Sequence, residues 1–183
     1  MKIRNQKFTL LLTLALIFFT ASGFTINFKA SKAFKEGKSE YINGNVPYAL
    51  LNLRYVLYTY PSSVCSKNAE FGLGECYFEL LSYQKSFEHF ENYLAAYPDD
   101  LNNICAKIYI LKITSTSPAN LKLFQSYTNK VKKELYDKPF FLAYQDYKGK
   151  ILITPLGNKF EFREYVNRIE IYKNDQLFYK IIP

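Results

Sequence analysis

One amphipathic stretch is written twice in this chain. Residues 71–100, FGLGECYFELLSYQKSFEHFENYLAAYPDD, repeat much of a pattern laid down 37 positions earlier: Gly74 answers Gly37, Phe78 answers Tyr41, and Pro98 answers Pro61. In the second half of the earlier copy, Leu50, Leu53, Leu57 and Tyr60 follow the i, i+3, i+7, i+10 spacing that lines one helical face. Their later counterparts, Phe87, Phe90, Leu94 and Tyr97, are apolar at every position. Asn45 is placed to cap the first of these helices, with Pro47 tolerated in its first turn. Each helix then stops at a Tyr-Pro pair, because the residue before proline is pushed out of the α region. Fresh capping signals follow, Ser62–Ser63 and Asp99–Asp100.

The first half of each copy also reads as helix, with Gly37 or Gly74 set inside it. A glycine there costs about 1 kcal/mol against alanine, so its recurrence predicts close approach of two helices. Ala49 and Ser86 are the matching small residues on the second helix. Leu101–Thr114 predicts the first helix of a third unit, broken by TSTSPAN, and residues 120–136 a closing amphipathic helix through Leu121, Phe124, Val131 and Leu135. Lys130, Lys132 and Lys133 on it suit a solvated capping surface. From Pro139 the period changes from about 3.6 to 2. FFLAYQ, KILITP, KFEFRE, RIEIYK and QLFYKII read as short strands, with YKGK, PLGN and KND as turns between some of them. The expectation is a mainly α chain: a helical-hairpin solenoid followed by a small antiparallel β meander, α+β overall. The meander is short for an independent core and is expected to pack on the last helices.

This layout resembles the tetratricopeptide repeat (TPR), a helix–turn–helix unit of about 34 residues. Leu73, Gly74, Tyr77, Ser86, Phe90 and Pro98 match its pattern, as do Gly37, Ala49, Leu53 and Pro61 in the earlier copy. Glu36 and Glu40 depart from it at apolar positions, and Val56 and Tyr93 at small ones. The 37-residue period and the Tyr-Pro ends look most like the bacterial envelope subgroup of outer-membrane assembly lipoproteins and Tol–Pal coordinating proteins. The resemblance implies units at about 31–61, 62–98 and 99–136 within residues 24–136, ahead of a β-rich module at 137–183. It also implies a partner groove lined by the first helix of each unit. The positions that transfer are Phe34, Lys38 and Tyr41, then Asn68, Phe71, Glu75 and Phe78. The alternative for these rings is packing against neighbouring helices or the C-terminal sheet.

The N-terminus bears on compartment. Lys2, Arg4 and Lys7 precede an apolar run from Phe8 to Gly23, with Ala21 and Gly23 suited to cleavage. Residues 1–23 therefore read as a secretory signal peptide, an uncleaved inner-membrane anchor being the alternative. The first cysteine is Cys65, so no lipid-accepting cysteine follows the run. An exported chain with three cysteines invites a disulfide. Cys65 and Cys76 would stand about 16 Å apart on one helix, and Cys76 and Cys105 out of register. Cys65 with Cys105 remains, and free buried thiols are the expectation.

Chemistry finds few candidates. His89, the single histidine, lies off the apolar face of its helix and reads as solvated surface. Glu75 and Glu79 stand one turn apart and read likewise. GLGE at 72–75 lacks the later glycine and lysine of a phosphate loop. No Cys-x-x-Cys or His-Glu-x-x-His spacing offers a metal site, so neither enzyme activity nor a cofactor is expected. The +8 net charge is uneven: +3 over residues 1–23, −2 over 24–100 and +7 over 101–183. Lys148, Lys150, Lys159, Arg163, Arg168 and Lys173 are thus candidates for contact with a polyanion. For an exported chain that means anionic lipid or cell-wall polymer rather than nucleic acid. The leading expectation is a non-enzymatic envelope adaptor that binds a protein partner in its groove. The competing class is a structural surface protein that holds lipid or polymer through the basic β module.

Overall fold

The computed structural model describes residues 27–116, 120–137, 142–143 and 148–182. The expected signal segment, Pro118 in TSTSPAN, and most of FFLAYQ lie outside the described residues. Six helices come first: α1 over 27–42, α2 Val46–Thr59, α3 Ser66–Glu79, α4 Tyr83–Ala96, α5 Asn103–Thr114 and α6 Leu121–Asp137. Each packs chiefly on the next, as consecutive hairpins do. The 37-residue spacing persists in the backbone. Helices α2 and α4 begin at Val46 and Tyr83, and α3 and α5 at Ser66 and Asn103.

Local signals act as written, with some exchange of partners. Tyr60 and Tyr97 end α2 and α4 ahead of their prolines. Asn45 occupies the N-cap position of α2, but its amide donates to Glu40 Oε2 at 2.9 Å rather than capping the helix. Asp100 accepts the Asn102 backbone N–H at 2.8 Å ahead of α5. The turns α1–α2 and α3–α4 share one left-handed residue, Gly44 at φ 82° and Leu81 at φ 57°. Both close with the same backbone bonds, Asn45 N–H to Glu40 and Ser82 N–H to Tyr77.

The paired glycines do mark close approach. A Cβ on Gly37 would lie 3.1 Å from Asn52 Cβ and 3.3 Å from the Ala49 carbonyl; one on Gly74 would lie 2.7 Å from the Phe90 ring. Ser86 is buried there and donates to the Gly74 carbonyl at 2.8 Å. In the second helices the buried residues coincide in register, Ala49, Leu53 and Val56 in α2 with Ser86, Phe90 and Tyr93 in α4.

The C-terminal strands are β1 Leu142–Ala143, β2 Lys148–Ile153, β3 Lys159–Tyr165, β4 Arg168–Lys173 and β5 Gln176–Ile181, an antiparallel meander in sequence order. Gly149, expected in a turn, is instead paired within β2 to Leu142 and Arg163. The PLGN and KND turns form as read, with Gly157, Asn174 and Asp175 at positive φ. Placement of the sheet differs from expectation. Phe160, Phe162, Ile169 and Ile171 share one core with Phe71, Phe90, Tyr109, Val131 and Leu135. Leu156, in the β2–β3 turn, joins the core of α1 to α3. The sheet therefore covers the whole side of the stack carried by α1, α3 and α5, not the last helices alone. The reason is apolar area: that side carries rings which the helices by themselves leave uncovered, and each such ring is worth about 1.5–3 kcal/mol on burial.

Candidate functional site

Four of the groove positions implied by the repeat pattern, Lys38, Tyr41, Glu75 and Phe78, meet the chain's own sheet or its turns. Phe71 is 0 % exposed and packs edge-on to Phe90, Tyr93 and Tyr109. Phe78 packs on Tyr83, Tyr109 and Phe178, the last from β5. Phe34 is half-buried against the first core, and Asn68 is half-buried. Lys38 is half-buried with its ammonium beside Gly157 of the β2–β3 turn. The expected aromatic ladder is thus core rather than open groove, because α3 lies between α2, α4 and the sheet and has no free face.

Glu75 is corrected most sharply. It was expected on a solvated face and is 0 % exposed. A carboxylate removed from water needs donors, and two elements supply them. Tyr109 on α5 donates its hydroxyl to Glu75 Oε1 at 3.1 Å, and Asn158 of the β2–β3 turn donates its amide to the same oxygen at 2.8 Å. Asn158 Nδ2 also donates to the Tyr41 hydroxyl of α1 at 2.9 Å, and Asn158 Oδ1 accepts from Asn174 Nδ2 at 2.8 Å. Burial raises the Glu75 carboxyl to about 6, while Asn158, the Thr154 hydroxyl, the Lys173 charge and Tyr109 act against the rise. Burial, then the Glu75 charge, pushes the Tyr41 and Tyr109 hydroxyls above the ordinary phenol range. Lys173, at the β4 end, pairs with Glu79 one turn along α3.

Two hairpin turns position these groups. Thr154 and Asn158 close the first through Thr154 N–H to Asn158 O at 2.9 Å, and Gly157 takes the left-handed conformation the turn needs. Leu156 is thereby driven into a notch at Gly72, where a Cβ would lie 3.1 Å from Leu156 Cδ2. The second turn is tied to the first by Lys159 N–H donating to Asn174 Oδ1 at 2.9 Å.

What the turns leave open is a cleft of about 410 Å³ at the α1–α2 corner, lined by Tyr41, Ile42, Glu79, Leu156, Asn158 and Asn174 among others. Its walls offer a phenol, two amides and a carboxylate beside three aliphatic side chains, Ile42, Val46 and Leu156. That chemistry suits hydrogen bonding to a short polar or peptide-like ligand.

Four of the basic candidates, Lys159, Arg163, Arg168 and Lys173, are drawn into internal pairs. Lys159 contacts Asp175 at 2.6 Å and Glu161 at 3.8 Å. Arg163 grips Glu161 at 2.8 Å and lies 4.1 Å over the Tyr172 ring. Arg168 pairs with Glu170 at 2.7 Å and lies 4.1 Å over Tyr165. Lys150 is half-buried, and the Lys148 side chain lies outside the described residues. Alternation placed these cations on strands, but cross-strand and same-face acids sit within reach of Lys159, Arg163 and Arg168.

His89 is also corrected. Its Nδ1 lies 3.0 Å from Glu70 Oε1, and its ring stacks on Tyr77 with centroids 5.3 Å apart. Cys65, Cys76 and Cys105 are free and buried, and burial raises all three thiols, disfavouring the nucleophilic thiolate. Among the described residues no group of three or more His, Cys, Asp or Glu is placed to hold a metal ion, and no helix is long and apolar enough to cross a membrane. Sequence reasoning missed Tyr109, Asn158 and Asn174. The PLGN and KND turns located the last two without indicating that they face inward. No known protein family matches the chain, and a search of curated proteins finds no match.

Proposed function

We propose that the chain is a non-enzymatic adaptor of the bacterial cell envelope, built as a TPR-like stack and acting by equilibrium binding of a protein segment. The 37-residue register of its helices, the paired small residues Gly74 and Ser86, and the secretory character of residues 1–23 support this reading. The observation that carries it is the cleft at the α1–α2 corner, where Tyr41 of the predicted groove set lines an opening that the sheet's turns leave unfilled. An extended segment entering there meets Ile42 and Leu156 as apolar walls and the Asn174 amide and Glu79 carboxylate as hydrogen-bonding partners. The rest of the groove is filled by the chain itself, so the partner adds to the sheet-covered stack rather than replacing the sheet. Replacing the sheet would uncover Phe160, Phe162 and Ile171 together.

The test is crosslinking and affinity recovery from native cells with wild type and Ile42→Glu. Ile42 is exposed on the cleft wall, so the charge blocks the cleft while sparing the core. Wild type should recover one defined exported protein that the variant does not. Equal recovery by both would remove the cleft from the function.

A further inference from the structure

The outer face of α2 is apolar where a repeat should be wet. Tyr48, Leu51, Tyr55 and Tyr58 follow the i, i+3, i+7, i+10 spacing and are 65, 59, 49 and 67 % exposed. The chain contains its own control. The same register in the second copy holds Lys85, Glu88, Asn92 and Ala95, all equally turned outward. Position in the repeat therefore does not call for these rings. Phe28 and Val64 are also exposed, and the start of α1 is tied to the segment after α2 by Val64 N–H donating to Asn27 Oδ1 at 3.4 Å. A contiguous exposed patch of this kind marks a protein or membrane contact.

Charge separates those two occupants. The first hairpin, residues 27–59, carries five basic and two acidic residues, whereas residues 60–100 carry two and seven. The apolar face thus lies on the one net-positive part of the two copies. Lys29, Lys32 and Lys35 are exposed on α1, and Arg54, the single charge on α2, lies 5.7 Å over the Tyr58 ring. A second copy of the chain fits this face less well. Antiparallel pairing about the middle of this face would bring Arg54 near its own copy and set one positive hairpin against another. A fully covered ring buries about 150–250 Å², so the face offers roughly 500 Å² a side, below the ~800 Å² of a standard interface.

We propose that the outer face of α2, with the start of α1, lies on the surface of an anionic lipid bilayer. Tyr48, Tyr55 and Tyr58 sit at headgroup level, where amphipathic rings are favoured, and Leu51 dips below them. The lysines of α1 and Arg54 meet the lipid charge. This contact is separate from the α1–α2 corner cleft and does not depend on it.

The test uses the full chain with Leu51→Cys labelled by an environment-sensitive fluorophore. The three native cysteines are buried, which directs the label to position 51. Val166→Cys, in the exposed β3–β4 turn, is the control. With vesicles of phosphatidylcholine and phosphatidylglycerol, the label at 51 should shift to the blue and be quenched by brominated lipid, and the label at 166 should do neither. The proposal is overturned if the chain floats with vesicles while the label at 51 stays in water. It is overturned equally if position 51 is already shielded in a dimer before lipid is added, or if phosphatidylcholine alone gives the same shift.

Discussion

The two copies of the repeat share their spacing and differ in almost everything their side chains do. In α3, ten of fourteen residues are buried, because α2, α4 and the sheet enclose it. Helix α1 has the same glycine and aromatic spacing but stands at the end of the stack, and Phe34 and Tyr41 reach the surface in part. Gly37 tolerates neighbours at 3.1 Å or more, whereas Gly74 faces a ring that is itself locked between Phe71 and Tyr109. Lys38 rests half-buried beside a turn, whereas its counterpart Glu75 is sealed in and bonded from two directions. On the outer faces the order reverses: the first copy is apolar and the second polar. A repeat thus specifies which residues meet between its own two helices, and the layers on either side decide the rest.

The largest break in this comparison should come from the glycines. Gly74→Ala presses a methyl group onto Phe90, and we expect a loss of about 2–3 kcal/mol, the upper range for overpacking a rigid core. Gly37→Ala should change stability by less than about 0.5 kcal/mol, since helix propensity offsets mild crowding. Urea unfolding of the two variants side by side checks this, and equal losses would mean that the two copies pack alike.

Glu75 sharpens the contrast through pH. Its carboxyl is raised by burial from 4.5 to about 6 in the folded chain. The folded form therefore holds a proton that the unfolded chain has released between those values. The resulting stabilisation is fully present below pH 4.5 and is lost as pH rises through 6, by about 2 kcal/mol at ~1.4 kcal/mol per unit. Subtracting the stability curve of Glu75→Gln, which keeps an acceptor for Tyr109 and Asn158, should isolate that slope. A difference curve flat from pH 4 to 7 would show that Glu75 is hydrated.

The smallest effect concerns the corner turns. Gly44 and Leu81 occupy the same left-handed position, but only leucine is strained there. Leu81 is 70 % exposed, so little packing is lost on its removal. Leu81→Gly should stabilise the chain by about 1 kcal/mol, the steric cost of the left-handed region less glycine's added entropy. Thermal unfolding checks it, and a lower midpoint would show that the side chain packs after all.

Much of the architecture was legible residue by residue. The Tyr-Pro stops, the paired glycines and the PLGN and KND turns act through sterics within a few positions, so they read correctly without knowledge of the fold. The capping residues read less well, since Asn45 found Glu40 instead of its helix. Candidate sites were read least well. Phe78 meets Phe178 of the sheet and Phe71 meets Tyr93 and Tyr109 of neighbouring helices, and nothing in the pattern says whether solvent, sheet or helix lies across from either. Arg163 and Arg168 alternate as exposed cations should, yet Glu161 and Glu170 reach them two residues away along the same strand.

By itself the sequence determined the order of elements, the period of the stack, where each helix stops, and the apolar side on which each hairpin closes. These follow from backbone sterics and side-chain periodicity, which are legible within one hairpin or by comparing one copy of the repeat with the next. Only the tertiary structure decided that the groove is filled by the chain's own sheet, that a carboxylate is buried beneath it, and that Lys159, Arg163 and Arg168 are paired with nearby acids. Those outcomes depend on pairs such as Glu75 and Asn158, 83 positions apart. The cost of burying a charge is met or unmet by groups that the local pattern does not contain.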